Sequence, residues 1–320
     1  MFTQNRKNIA ILGATGHIAK NLIIGLSSSQ DYRLYLFARS KEKLDSFLVS
    51  NNIVDNFTIC EYQQFEQASR YNVIINCIGI GNPQDLVSNP FSVFQITEHY
   101  DNMVLDYLQK IPETIYINLS SGATYGSEFQ TPAAKDKSLT LDINNLSNKD
   151  YYGIAKLNME GKHRSLQKLK IIDLRVFGYF SSYIDLDSKF LITDIIHCIK
   201  SGTTLYTSPE NIMRDYVHPL DFLQLIKLCM VDNIQNDVFD VYSLKPISKF
   251  EMLEFFAEEY DLKYEIKSDK NYASITGSKS SYYTMNYKAT SIGYQPHFSS
   301  LQSIVQGYQQ FRMRNKYENN

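Results

Sequence analysis

The chain has 320 residues, 43% of them hydrophobic and 21% charged, with a formal net charge of −2. That is ample apolar material for a globular core, and at roughly 150 residues per domain it allows two domains. The balance offers no basic surplus for nucleic acid or an anionic membrane, and no apolar run nears the roughly 20 residues of a spanning helix. The N-terminus runs almost directly into an apolar strand, so no signal peptide is expected. Cys60, Cys77, Cys198 and Cys229 are far apart and form no CxxC pair. Reduced thiols in a cytoplasmic protein are therefore expected, with no metal site or disulfide framework.

KNIAIL (7–12) is a short apolar run ending at a glycine, the pattern of a buried parallel strand. GHIAKNLIIGLSSS follows with helical spacing of Ile18, Leu22, Ile23 and Leu26. The spacing predicts further strands at 33–38, 57–62, 72–79, 114–121 and 170–177, with helices over SKEKLDSFLVS, 91–110 and 150–168. Strand and helix alternating in this way give a doubly wound parallel sheet of the Rossmann type, an α/β fold that binds ligands at the carboxyl ends of its strands.

The rhythm breaks after residue 178. TTLYT and RDYVHP are predicted as short strands, LDFLQLIKLCMV as a helix and VFDVYS as a strand. SKFEMLEFFAEEY opens with a capping box, Ser248 followed three residues later by Glu251. The expected division is a dinucleotide-binding domain at 1–177, to which segments near 216–245 return. A smaller mixed substrate domain is expected from 178–215 and 246–320.

The first strand runs into Gly13-Ala-Thr15-Gly16-His17-Ile18-Ala19. Glycines there let the backbone approach a diphosphate, and the following helix offers it free N–H groups. Such a turn is weak evidence alone; its position between first strand and first helix strengthens it. At the end of the second strand stand Arg39, Ser40 and Lys41, with no acid until Glu42. A guanidinium and a hydroxyl suit a 2′-phosphate, whereas an acid would suit the free ribose of NAD. NADP(H) is therefore preferred, with NAD(H) as the alternative and a solvated helix start as the plain reading.

In KDYYGIAKLNMEGK, Tyr152 and Lys156 are four residues apart and share a helix face, while Tyr151 is turned away. An ammonium beside a phenol lowers the phenol pKa from its usual value of about 10 and makes Tyr152 a usable acid or base. By itself such a pair is more often a surface contact. The fifth strand ends in Ser120 and Ser121, whose hydroxyls can hydrogen-bond a substrate carbonyl.

With these pieces in this order, the chain resembles an extended short-chain dehydrogenase/reductase, the group of nucleotide-sugar epimerases, dehydratases and reductases. The resemblance rests on GATGHIA (13–19), NCIG (76–79), SSGATYG (120–126), YGIAK (152–156) with Glu160, LRVFGYF (174–180) and RDYVHPLD (214–221). It implies Tyr152 as acid/base, Lys156 on the nicotinamide ribose, and Ser121 as donor to the substrate carbonyl. It further implies Gly13, Thr15, Gly16, His17, Ile18, Cys77 and Gly79 around the cofactor, and Arg214 on the substrate diphosphate. Asp221 and His218 are expected to be structural. Members of the group often dimerise through a four-helix bundle that includes the tyrosine–lysine helix, with residues 91–110 available as its partner.

Departures from the family pattern narrow the chemistry. The Asp-Glu pair that follows the serine in 4,6-dehydratases is Gly122 and Ala123 here, and Gly178 stands where epimerases often carry asparagine. Together with Arg39, these departures favour a reductase of a keto group on a nucleotide-activated sugar. An epimerase with retained NAD and a dinucleotide-sensing protein without catalysis are the alternatives. Tyr179, Tyr183, Tyr206, Tyr282 and Tyr283 are read as packing residues rather than as stacking surfaces.

Overall fold

The computed structural model describes residues 6–80, 83–231, 234–268 and 279–318. Strands β1 (Lys7–Leu12), β2 (Tyr32–Phe37), β3 (Phe57–Cys60), β4 (Val73–Asn76), β5 (Ile115–Ser121) and β6 (Ile171–Val176) belong to one sheet. Helices α1 (His17–Ser27), α2 (Lys41–Ser50), α3 (Phe65–Ala68), α4 (Pro83–Ser88), α5 (Phe91–Lys110) and α6 (Asn148–Ser165) connect them. Beyond β6 come α7 (Leu191–Ser201), β7 (Leu205–Thr207), β8 (Met213–Arg214), α8 (Pro219–Cys229) and β9 (Asp237–Val241). The chain continues through β10 (Ile247–Ser248), α9 (Lys249–Tyr260), β11 (Tyr264–Ile266), β12 (Ser281–Tyr282) and α10 (Ser300–Glu318).

The main sheet has seven strands in the order β3-β2-β1-β4-β5-β6-β9, all parallel. Its strands are apolar on both sides because both faces are covered. One face packs Leu22, Ile23 and Leu26 of α1 and Phe222, Leu225 and Ile226 of α8 against Ile9, Ile11 and Leu174. The other packs Val104, Leu105 and Leu108 of α5 against Ala10, Ile74 and Tyr116. The winding reverses between β1 and β4, which opens a crevice at their carboxyl ends.

A separate apolar cluster, with Ile192, Ile195, Phe256 and Tyr308 among its members, holds α7, α9 and α10 together. Two small sheets, β10-β8-β12 and β11-β7, lie in this later part of the chain. The predicted strand over RDYVHP is shorter than expected. Only Met213–Arg214 is a strand, because Pro219 opens α8 and the His218 ring accepts from the Leu220 N–H as its cap. Likewise the strand predicted to residue 62 stops at Cys60, where Glu61 and Gln64 close a capping box over a 3₁₀ turn. No helix among the described residues is long and apolar enough to cross a membrane.

Candidate active site

The glycine turn follows directly from β1. Gly13 has a φ of +75°, and a Cβ there would lie 3.1–3.2 Å from Ile78 Cγ1 and the Cys77 carbonyl, so only glycine fits without strain. Its N–H donates to the Tyr62 hydroxyl, which in turn donates to the Phe37 carbonyl, each at 3.1 Å. Gly16 caps α1 with no side chain over the helix end, and the first turn carries no acid. Thr15, His17 and Ile18 thus surround a helix terminus open to an anion. Burial, and then Lys20, lowers the His17 pKa to about 4, so this ring is neutral; it packs 5.4 Å from the Tyr179 ring.

Cys77 and Gly79 follow β4 on the other side of the crevice. Burial pushes the Cys77 thiol up to about 12, against the opposing charge of Lys156. A Cβ on Gly79 would sit 3.9 Å from Lys156 Nζ, so the bare glycine keeps space open beside the ammonium. At the end of β2, Arg39 is exposed. Ser40 has a local role: it caps α2 by accepting from Lys43 N at 3.2 Å and donates to Glu42 Oε2 at 3.0 Å. Lys41 pairs with Glu61 at 2.7 Å.

Helix α6 is set by a capping box between Ser147 and Asp150, and its buried face carries Gly153, Lys156 and Glu160. Tyr152 and Ser121 come together here: burial raises the Tyr152 pKa, and a hydrogen bond with Ser121 opposes that rise. Lys156, one turn further along the same helix, donates from Nζ to the Leu119 carbonyl at 2.8 Å. Burial lowers Lys156 itself to about 8, although Asp101, Asp173 and Glu160 act to keep it charged.

The two serines of β5 divide their work. Ser120 Oγ donates to Glu160 Oε1 at 2.5 Å, and Arg175 clamps the same carboxylate through Nε and Nη2. Ser121 Oγ accepts from Ala123 N at 3.1 Å and lies 3.2 Å from the Tyr282 hydroxyl. The family departures also have a steric basis. A Cβ at Gly122 would lie 2.5 Å from the Phe177 ring, and one at Gly178 would lie 2.4 Å from the Asp215 carbonyl oxygen. Neither place has room for a side chain unless its neighbour shifts.

Arg214 sits on β8, paired in register with Tyr282 of β12. Its Nη1 donates to the carbonyls of Met213 at 2.8 Å and Lys279 at 2.6 Å. Lys279 Nζ stands 4.5 Å over the Tyr282 ring, and burial followed by Arg214 lowers its pKa to about 8. No carboxylate is among the groups acting on either cation; those acting on Arg214 are Tyr216 and Tyr282. Two adjacent half-buried cations of this kind suit an anionic ligand. Sequence reasoning missed Lys279 and assigned Tyr282 only to packing; neither stands in a local motif. His218 and Asp221 are structural: His218 stacks on Phe298 at 3.9 Å, and Asp221 accepts from the backbone N–H groups of His297 and Phe298. Among the described residues no group of three or more His, Cys, Asp or Glu could hold a metal ion.

A sheet that reverses its winding over an open helix terminus, with Ser121, Tyr152 and Lys156 gathered beside it, defines a Rossmann-type enzyme of the extended short-chain dehydrogenase/reductase class. The family follows from the sequence. A model described as the NAD dependent epimerase/dehydratase family matches residues 9–244, and the chain belongs to that family. No curated protein matches the sequence significantly. Among solved structures, UDP-glucose 4-epimerase from Thermotoga maritima with UDP-glucose is similar, at 18% identity and a TM-score of 0.78, covering 96% of this chain and 99% of that one. UDP-glucuronic acid 4-epimerase from Bacillus cereus, in complex with UDP-glucuronic acid and NAD, matches at 16% identity and 0.78, over 96% and 99%. dTDP-glucose 4,6-dehydratase from Bacillus anthracis, in complex with NAD, matches at 17% and 0.76, over 97% and 98%.

Proposed function

We propose that this enzyme is an NADP(H)-dependent reductase of a keto group on a nucleotide-activated sugar. The observation that carries the cofactor choice is Arg39, exposed at the end of β2 where an NAD site would place an acid. The uncapped start of α1 and the bare Gly79 beside Lys156 fit a dinucleotide. Gly13, Thr15, Gly16, His17 and Ile18 would hold its diphosphate, Arg39 its 2′-phosphate, and Lys156 with Cys77 and Gly79 its nicotinamide end. Bound there, a nicotinamide dinucleotide supplies the hydride.

The chain's own residues supply the proton and the orientation. Ser121 donates to the substrate carbonyl, Tyr152 protonates the alkoxide that forms, and Lys156 adds positive charge where negative charge develops. Arg214, joined by Lys279, takes the diphosphate of the substrate, and residues 178–215 and 246–320 make up the substrate domain. Cytoplasmic residence and a homodimer through α5 and α6, which pack together, belong to the same reading.

A titration of stripped protein by NADPH and NADH fluorescence tests this. Much tighter NADPH binding, with turnover on a keto-sugar nucleotide, is the expected result. The second reading is a 4-epimerase with retained NAD. It is favoured by the Ser40–Glu42 hydrogen bond, which brings a carboxylate to the end of β2, and by the UDP-sugar epimerases that share the fold. Oxidised NAD that co-purifies and resists stripping would put it first. Cofactor binding without turnover on any sugar nucleotide would leave a dinucleotide sensor.

A further inference from the structure

The early stop of β3 at Cys60 has a consequence for the crevice. β3 is the edge strand, with β2 beside it and β1 beyond. The 3₁₀ turn that replaces its last residues carries Tyr62 back over the ends of both neighbours. The Tyr62 hydroxyl accepts from the Gly13 N–H after β1 and donates to the Phe37 carbonyl at the end of β2, each at 3.1 Å. Its ring packs 6.0 Å from Phe37 and 4.8 Å from Tyr100 of α5, so the hydroxyl is delivered from a fixed ring.

The backbone bonds around it show what that hydroxyl does. The Phe37 carbonyl also accepts from the Ala14 N–H, and the Gly16 N–H is given to the Gly13 carbonyl, each at 2.9 Å. The N–H groups of Gly13, Ala14 and Gly16 are thus all bonded within the protein. These residues serve a diphosphate by the shape of the turn, and the N–H donors come from the start of α1. Gly13 lies in the left-handed region and has no Cβ to restrict its dihedrals, so that shape depends on its hydrogen bonds. Phe37 stands two residues before Arg39. One hydroxyl therefore ties the turn for the diphosphate to the strand end for the adenosine ribose.

We propose that Tyr62 is a positioning residue for the dinucleotide. Its hydroxyl fixes the glycine turn against the end of β2 and so holds two subsites at the spacing that one ligand must span. A turn already in place loses little freedom when the ligand arrives, and that is the source of the affinity. The inference rests on the crevice being a dinucleotide site, and not on the choice between NADP and NAD or on the sugar.

Tyr62→Phe keeps the ring and removes the hydroxyl. The full chain is labelled with ¹⁵N-glycine, and hydrogen exchange of the Gly13 amide is followed by NMR without ligand. Exchange should quicken about tenfold, the scale of one lost hydrogen bond. Fluorescence titration with NADPH and NADH follows, well below the melting temperature. The dinucleotide that the wild type prefers should bind about five- to tenfold more weakly. A bond that served stability alone would lower the melting temperature and leave the affinity of the folded protein unchanged. Tyr183→Phe is the control: its hydroxyl donates to Asn51 at the far end of α2, and its loss should alter neither readout. Unchanged Gly13 exchange, or unchanged affinity in folded Tyr62→Phe, overturns the proposal. Should Tyr62→Phe fold poorly, 3-fluorotyrosine at position 62 keeps the ring and weakens its oxygen as an acceptor. Both readouts must then move in the same directions, and either one unmoved overturns the proposal. A wild type that binds neither dinucleotide overturns the dinucleotide reading and this proposal together. A wild type that binds, beside a Tyr62→Phe that binds equally well, overturns the proposal alone.

Discussion

Gly153 faces the backbone of Ala123 so closely that a Cβ would stand 2.4 Å from the Ala123 carbonyl oxygen. This contact seats α6 on the turn after β5 and brings Tyr152 to Ser121. Gly153→Ala would force the two apart, an overpacking cost of about 1–3 kcal/mol. The expected outcome is a lower melting temperature together with a loss of turnover larger than the stability loss explains. Thermal denaturation and kinetics on one preparation check both.

Tyr152→Phe keeps the ring and removes the proton. Turnover should fall by about 10²–10⁴ with folding intact, the scale of lost acid–base help. Near-normal turnover in a folded variant would remove Tyr152 from the mechanism.

Burial alone would lower the His163 pKa, but Asp173 and Asp101 hydrogen-bond to it from both sides and raise it to about 9. A pKa above the unfolded value means the folded protein binds the extra proton. The stabilisation is therefore complete below about pH 6.5 and is lost as pH rises through 9. Urea melts across this window should show stability falling toward alkaline pH. His163→Gln should flatten that dependence.

Lys156 runs the other way. Its folded pKa, lowered to about 8 by burial, lies below the unfolded value of about 10.4, so the unfolded chain binds more protons between the two. This group makes stability rise with pH across that interval. Lys156→Met removes a buried ammonium and should raise the melting temperature at pH 7 while turnover is lost. A variant that is both inactive and less stable would mean that the Leu119 contact matters more than the buried charge.

Lys279→Gln removes one of the two half-buried cations near Tyr282. On the proposed reading of this pair as the diphosphate site, binding of a nucleoside diphosphate probe, measured by calorimetry, should weaken about tenfold, the scale of a lost charge-assisted hydrogen bond. The salt dependence should weaken with it. Unchanged affinity would return the anion site to Arg214 alone.

The sheet was legible because each of its strands is a short apolar run closed by a turn residue, and helix 91–110 because its period is long and uninterrupted. The capping box at Ser248 and Glu251 was equally local, and it forms as read. What failed to show depends on contact across the chain. RDYVHP has strand-like residues, yet the His218 cap and Pro219 win locally. That Ser40 also caps its own helix shows only in the fold. The resemblance singles out Ser121, but nothing in sequence says what Ser120 does; Glu160, on another element, holds it. Tyr282 and Lys279 carry no motif, and only the pairing of β12 with β8 brings them to the site.

The contact between Ser121 and Tyr282 joins positions 161 residues apart. On the ribosome that interval lasts on the order of ten seconds. The glycine turn and the tyrosine–lysine helix thus emerge well before the strand that completes the substrate side. A nascent chain made as far as Arg214 still lacks α8, β9, Lys279 and Tyr282, so both the seven-stranded sheet and the proposed site wait for the last part of the chain to be made.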